Sequence, residues 1–125
     1  MAKQLTHYAG NAIGNWFRGV TPPPVSNLSV ALYTTAPTTA GGGTKVTGGS
    51  YTDLPVTLSA FASSASSNTN ALTFINLPAC TITGVALVDG VTGDVLWFDN
   101  GLSVTVTAGQ NRTVLVGDFD VAFIA

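Results

Sequence analysis

Residues 81–100, TITGVALVDGVTGDVLWFDN, restrict the fold more than any other stretch. Two apolar runs, 82–88 and 95–98, flank Asp89, Gly90, Gly93 and Asp94. These four residue types turn a chain because they tolerate positive φ or bond their own backbone. The pattern predicts a β-hairpin. Alternation puts Gly84, Ala86 and Val88 on one side of the first strand and Val85 and Leu87 on the other. In the second strand it sets Val95 and Trp97 against Leu96 and Phe98. Neither strand has a polar face, so both faces need cover. The domain's own second sheet or a helix is expected over one face; what covers the other is the functional question.

Before the hairpin, residues 1–20 carry a helical stripe of Leu5, Tyr8, Ala9, Ala12, Ile13, Trp16, Phe17 and Val20. His7, Asn11, Asn15 and Arg18 form the opposite face. Thr6 is the expected N-cap and Gly19 the expected stop. Gly10 and Gly14 each cost about 1 kcal/mol relative to Ala, so this helix needs a surface to rest on. Its own sheet is the first expectation, and a neighbouring subunit the second. A membrane-surface helix does not fit a polar face with so few cations. Residues 21–25, TPPPV, read as a stiff extended spacer.

Residues 27–33 alternate as a strand, and residues 34–49 form a long Gly/Thr/Pro loop of the kind that is often functional or mobile. Strand character resumes over 51–59, where Pro55 marks an edge or a bulge. Residues 60–70, AFASSASSNTN, read as a surface loop. Short strands are expected at 71–75, 102–107, 112–116 and 119–124. Eight or so short strands with turns at steady spacing predict a mainly β fold, a β-sandwich of jelly-roll or immunoglobulin-like type with one N-terminal helix. The division expected is 1–24, helix and proline arm, and 25–125, sandwich.

Charge narrows the function. Four basic and six acidic side chains make 8% of the chain, against about 25% in a typical soluble domain. Spread over a surface on the order of 6,000 Å², that is a sparse coat, suited to a protein packed against others. A net charge of −2 with no basic stripe excludes a nucleic-acid role. No run of 18 apolar residues occurs, so no membrane-spanning helix is expected despite a mean hydropathy of +0.40. The N-terminus has no secretory signal pattern. The single Cys80 cannot form an internal disulfide and reads as a small buried hydrophobe.

Catalytic chemistry finds no foothold. There is one His and no Glu, and His7 falls on the polar helix face. Neither GxSxG nor GxxxxGK[ST] occurs, and the glycines at 41–43 resemble a phosphate loop only in composition. Asp89, Asp94 and Asp99 could approach Ca²⁺ at the hairpin end, but their spacing fits no EF-hand and turn-forming Asp is the better account. Asp118 and Asp120 read the same way. No catalytic residue, cofactor or metal site is expected.

Taken in order, the NWFRG helix, the proline run, ALYTTAPT with its Gly-rich loop and GGSY, GVALVDGVTGDVLWF and the terminal TVTAGQ…GDFDV resemble a known family across nearly the whole chain. It is the family of small tailed-phage virion proteins often labelled tail fibre or minor structural proteins. The resemblance implies a non-enzymatic virion component with a β-sandwich. Within that class, small size, sparse charge and a helix able to clasp a neighbour lead to the expectation of a capsid decoration (cement) protein, a trimer contacting the major capsid protein and copies of itself. The expected contact residues are Tyr8, Ile13, Trp16, Phe17, Pro22, Pro23 and Pro24, with loop 34–49 as a secondary candidate. The alternatives are a tail-fibre or tail-tip module and a carbohydrate-binding adhesin that would use Tyr33 and Tyr51.

Overall fold

The computed structural model describes residues 3–123. The first two residues of the expected helical segment, and Ile124 of the expected last strand, lie outside them. The chain is mainly β with one short helix and several antiparallel sheets. In order the elements are β1 (Lys3–Leu5), α1 (His7–Phe17), β2 (Leu28–Thr35), β3 (Thr44–Lys45), β4 (Leu54–Pro55), β5 (Ala65–Ser67), β6 (Leu72–Leu77), β7 (Cys80–Ile82), β8 (Gly84–Asp89), β9 (Val95–Asp99), β10 (Val104–Val106), β11 (Gln110–Val114) and β12 (Asp120–Ala122). One six-stranded sheet has the order β1-β9-β8-β2-β3, with β4 also on β2; β10-β7, β11-β6 and β12-β5 form two-stranded sheets.

The hairpin sits at the centre, as its two apolar faces require. Every residue of β8 is buried, between β2 and β9. Val85, Leu87 and Trp97 enter the large core with Val30, Leu32, Phe74 and Leu77. Ala86, Val88 and Phe98 join Ala31 and Tyr33 in a small core on the opposite face. Each buried Val, Leu or Phe among them contributes roughly 1.5–3 kcal/mol on leaving water, and the alanines less. On the small-core side the long loop supplies contacts. There, Ala36 lies against Gly84, Pro37 is buried, and the Tyr33 ring approaches Gly43. The long loop is therefore a pinned lid on the small core.

Several expectations change, and the strand expected over 51–59 shrinks to the two-residue β4. Leu5 is in a strand, not in the helix: β1 pairs with the edge of β9, Leu5 opposite Trp97. The run 82–88 is broken at Thr83. Its N–H donates to the Tyr33 carbonyl (2.9 Å) and its hydroxyl to the Thr34 carbonyl (2.9 Å), as the chain passes from the β7–β10 pair into the large sheet. Val95 lies with Phe98 rather than Trp97, because Leu87 pairs Trp97 while Val88 pairs Val95, leaving Leu96 as the extra residue of a β-bulge. The segment 60–70 is not all surface loop: Ala65–Ser67 pairs with β12, and Ser66 and Asn68 are buried.

Between β3 and β4 the β2 ladder has a gap, filled by a side chain. The Tyr51 hydroxyl accepts from Leu32 N–H (2.8 Å) and donates to Asp53 Oδ1 (2.6 Å), while Lys45 Nζ meets Asp53 Oδ2 at 2.6 Å. Pro55 lies in the two-residue β4, which pairs only with β2, a position where its missing N–H is tolerated.

Candidate functional site

The bulge at Leu96 fixes the helix. A bulge leaves carbonyls outside the regular ladder. Thr6, next in line after β1, takes them: its N–H donates to Leu96 O (3.0 Å) and its hydroxyl to Val95 O (2.6 Å). The same Oγ1 accepts Ala9 N–H at 3.3 Å, the expected N-cap. His7 N–H donates to Thr39 O (2.7 Å), tying the helix start to the lid loop. At the other end Val20 N–H reaches Asn15 O and Gly19 N–H reaches Trp16 O, a Schellman stop that needs the positive φ of Gly19 (86°). The chain next meets the sheet where Ser26 N–H donates to Asp89 Oδ2 (3.3 Å).

Between the Thr6 and Leu28 attachments, no residue from 7 to 27 is buried. The helix is moored at its N-terminus and rests lightly along its length. Under it runs an apolar groove of about 310 Å³. Tyr8, Ala9, Ala12 and Ile13 form one wall with Pro22–Pro24. The floor holds Leu28, Leu87, Leu96 and Trp97. Leu58 and the stacked rings of Phe61 and Phe123, centroids 4.9 Å apart, make the far wall. Trp16 and Phe17, centroids 5.7 Å apart, are 60% and 77% exposed.

The structure thus brings Tyr8, Ile13 and the three prolines to one groove and places Trp16 and Phe17 beyond it on the same helix. The opposite wall was not foreseen. Its sequence signals are separate: Leu58 in the strand expected over 51–59, Phe61 among small residues and Phe123 in the expected last strand, with nothing local to bring them together. Loop 34–49 contributes no lining residue. Tyr33 is 2% exposed, and Tyr51 stacks on Phe74 with its hydroxyl occupied, so both aromatics of the carbohydrate reading serve the interior.

Ionic chemistry at the groove is confined to one end. Asp89 Oδ1 accepts Val91 and Thr92 N–H (2.9 and 3.1 Å), and these bonds hold its carboxyl below the usual range. Desolvation, then the Asp94 and Asp89 carboxylates, push the Tyr8 phenol up. Asp94 accepts the Thr92 hydroxyl (2.8 Å) and Asp99 accepts Gly101 N–H (2.9 Å), so all three carboxylates act in turns. A second hollow of about 250 Å³ has Lys3, Asp99, Asp118 and Asp120 around Trp97 and Phe119. Among the described residues no three His, Cys or Asp side chains converge to hold a metal ion. Cys80 is half-buried against the large core. Among the described residues no helix is long and apolar enough to cross a membrane.

Fold and site define a class: a small antiparallel β domain with an apolar groove walled by a helix that has no fully buried residue. The chain belongs to the family described as Podophage GP4 fiber I protein gp80, whose model matches residues 4–122. It is therefore a structural protein of a bacteriophage virion, of the fibre kind. No curated protein matches the chain.

Proposed function

We propose that the chain is a non-enzymatic tail-fibre building block that works by contact with other virion subunits through the α1–proline face. The observation that carries this reading is the fibre family match over nearly the whole chain. It favours the fibre module over the capsid decoration protein first expected. The groove supports the mode of action, because apolar area with few charges stabilises contact between proteins at roughly 25 cal/mol per Å² before association costs are subtracted. The expected contact residues Tyr8, Ile13 and Pro22–Pro24 line that groove.

Gold-labelled antibody against the chain, imaged on purified virions, tests the location. Label on tail appendages at low copy number is expected. Label spread over the head lattice would return the assignment to capsid decoration. Removing residues 1–24 is a poor probe, since it also strips β1 and the buried Thr6 from the sheet.

A further inference from the structure

The groove and the aromatic pair beside it are a hollow and a projection on one molecule. Ala12 and Ile13 line the hollow; Trp16 and Phe17 follow them at i+4 and continue the same stripe one turn further. We propose that this face is occupied by a second copy of the chain, each copy seating its Trp16–Phe17 pair in the groove of the other.

Three observations carry the choice of occupant. The first is area. Tyr8, Trp16, Phe17, Phe61 and Phe123 are between 43% and 77% exposed. At about 200 Å² per aromatic side chain they present about 500 Å², which Val20, Val25 and the prolines raise to about 800 Å², half of a standard interface and above the ~300–600 Å² of the largest patch on a typical monomer. The second is chemistry. The one carboxylate lining the groove, Asp89, is already held by backbone N–H groups, and Arg18 is turned to Asn15 Oδ1 at 3.1 Å. Apolar, charge-depleted faces are characteristic of contacts between like subunits. The third is geometry. A two-fold axis beside a neighbouring projection and hollow fills both hollows and covers both projections at once, which a dissimilar partner does only by supplying its own match to each.

The inference concerns the contact, not the position in the virion, so gold labelling and association state fail independently. Sedimentation of the full chain is expected to give a dimer at micromolar concentration. W16A/F17A removes the projection and A12F fills the hollow; each is expected to sediment as a monomer. Trp97 lies on the groove floor, so folding of both variants is checked independently by cooperative urea unfolding near the wild-type midpoint. Mixing the two variants restores a weak heterodimer, because one intact projection then meets one intact hollow. A wild-type chain that stays monomeric at high micromolar concentration overturns the proposal. So does a dimer that survives both variants, or a monomer that uses this face only for a different virion protein.

Discussion

Asn68 is 1% exposed, and its side chain is fully engaged. Nδ2 donates to the carbonyls of Asn70 (2.8 Å) and Leu115 (3.0 Å), and Oδ1 accepts Gly117 and Phe119 N–H (3.1 and 2.9 Å). One amide therefore ties the turn before β12 to the chain after β5. Asn68→Ala would leave Phe119 N–H and the Asn70 carbonyl without these bonds, each costing about 1–3 kcal/mol where water cannot replace them, while Gly117 N–H keeps the Asn68 backbone carbonyl (3.0 Å) and the Leu115 carbonyl keeps Asp118 N–H (3.0 Å). A loss of about 3 kcal/mol or more in urea unfolding is expected; a loss under ~1 kcal/mol would mean that water takes over the bonds. The tyrosines give a pH test. Burial, with the Asp53 charge second, pushes Tyr33 up to about 12 from an ordinary 10.0, and burial and the Asp53 hydrogen bond push Tyr51 up as well. An acid whose folded pKa is raised contributes stability fully below its unfolded pKa and loses it as pH rises toward the folded value. Stability should fall between pH 10 and 12, with tyrosinate absorbance from these two residues rising in step with unfolding. Full tyrosinate absorbance from a still-folded chain near pH 10 would contradict it.

At the scale of elements, α1 is the weak member. It has two interior glycines, and a methyl group at Gly10 or Gly14 would meet nothing within 4 Å. Gly10→Ala with Gly14→Ala should therefore stabilise the helix by up to about 1 kcal/mol each, seen as slower hydrogen exchange of α1 amides with little change in global unfolding. Unchanged exchange would show that the helix opens only with the whole domain. Gly84→Ala has the opposite sign, since its Cβ would lie 2.7 Å from that of Ala36. This contrast also explains what could be read in advance. The hairpin was legible because a two-sided apolar run between Asp-Gly turns has few other solutions. The N-cap and the Gly19 stop were legible because capping is local chemistry. β1 was not, because Leu5 fits the phase of the helical stripe that follows it, and only pairing with β9 separates the two. The bulge at Leu96 and the break at Thr83 depend on which carbonyls face Thr6 and β2, information carried by distant residues. β5 was hidden because ASS has no apolar alternation; it is a strand by virtue of its partner. Of the groove, one wall lies on a periodic helix and could be read, while Phe61 and Phe123 meet across 62 residues of sequence.

For the whole molecule, the surface decides the kind of association. Four basic and six acidic side chains share 6752 Å², roughly one charge per 700 Å². The Lys45–Asp53 ion pair belongs to the β3–β4 edge and has no place in the groove. Contact between two such molecules has little Coulomb energy to lose to screening. The net charge of −2 on each copy gives only a weak repulsion, which salt relieves. Sodium chloride is therefore expected to leave the dimer constant unchanged or slightly tighter. Ammonium sulfate, excluded from protein surface, should tighten it clearly. Burial of aromatic and aliphatic area also sets the sign of the heat capacity, so dilution calorimetry at several temperatures should give a negative ΔCp of association. Trp16 supplies the residue-level readout: its emission should shift to the blue as the dimer forms, a shift that W16F removes, because Trp97 is already 1% exposed. A dimer loosened tenfold by moderate sodium chloride would instead be held by charges, and the apolar face would have to be answered by something other than its own copy.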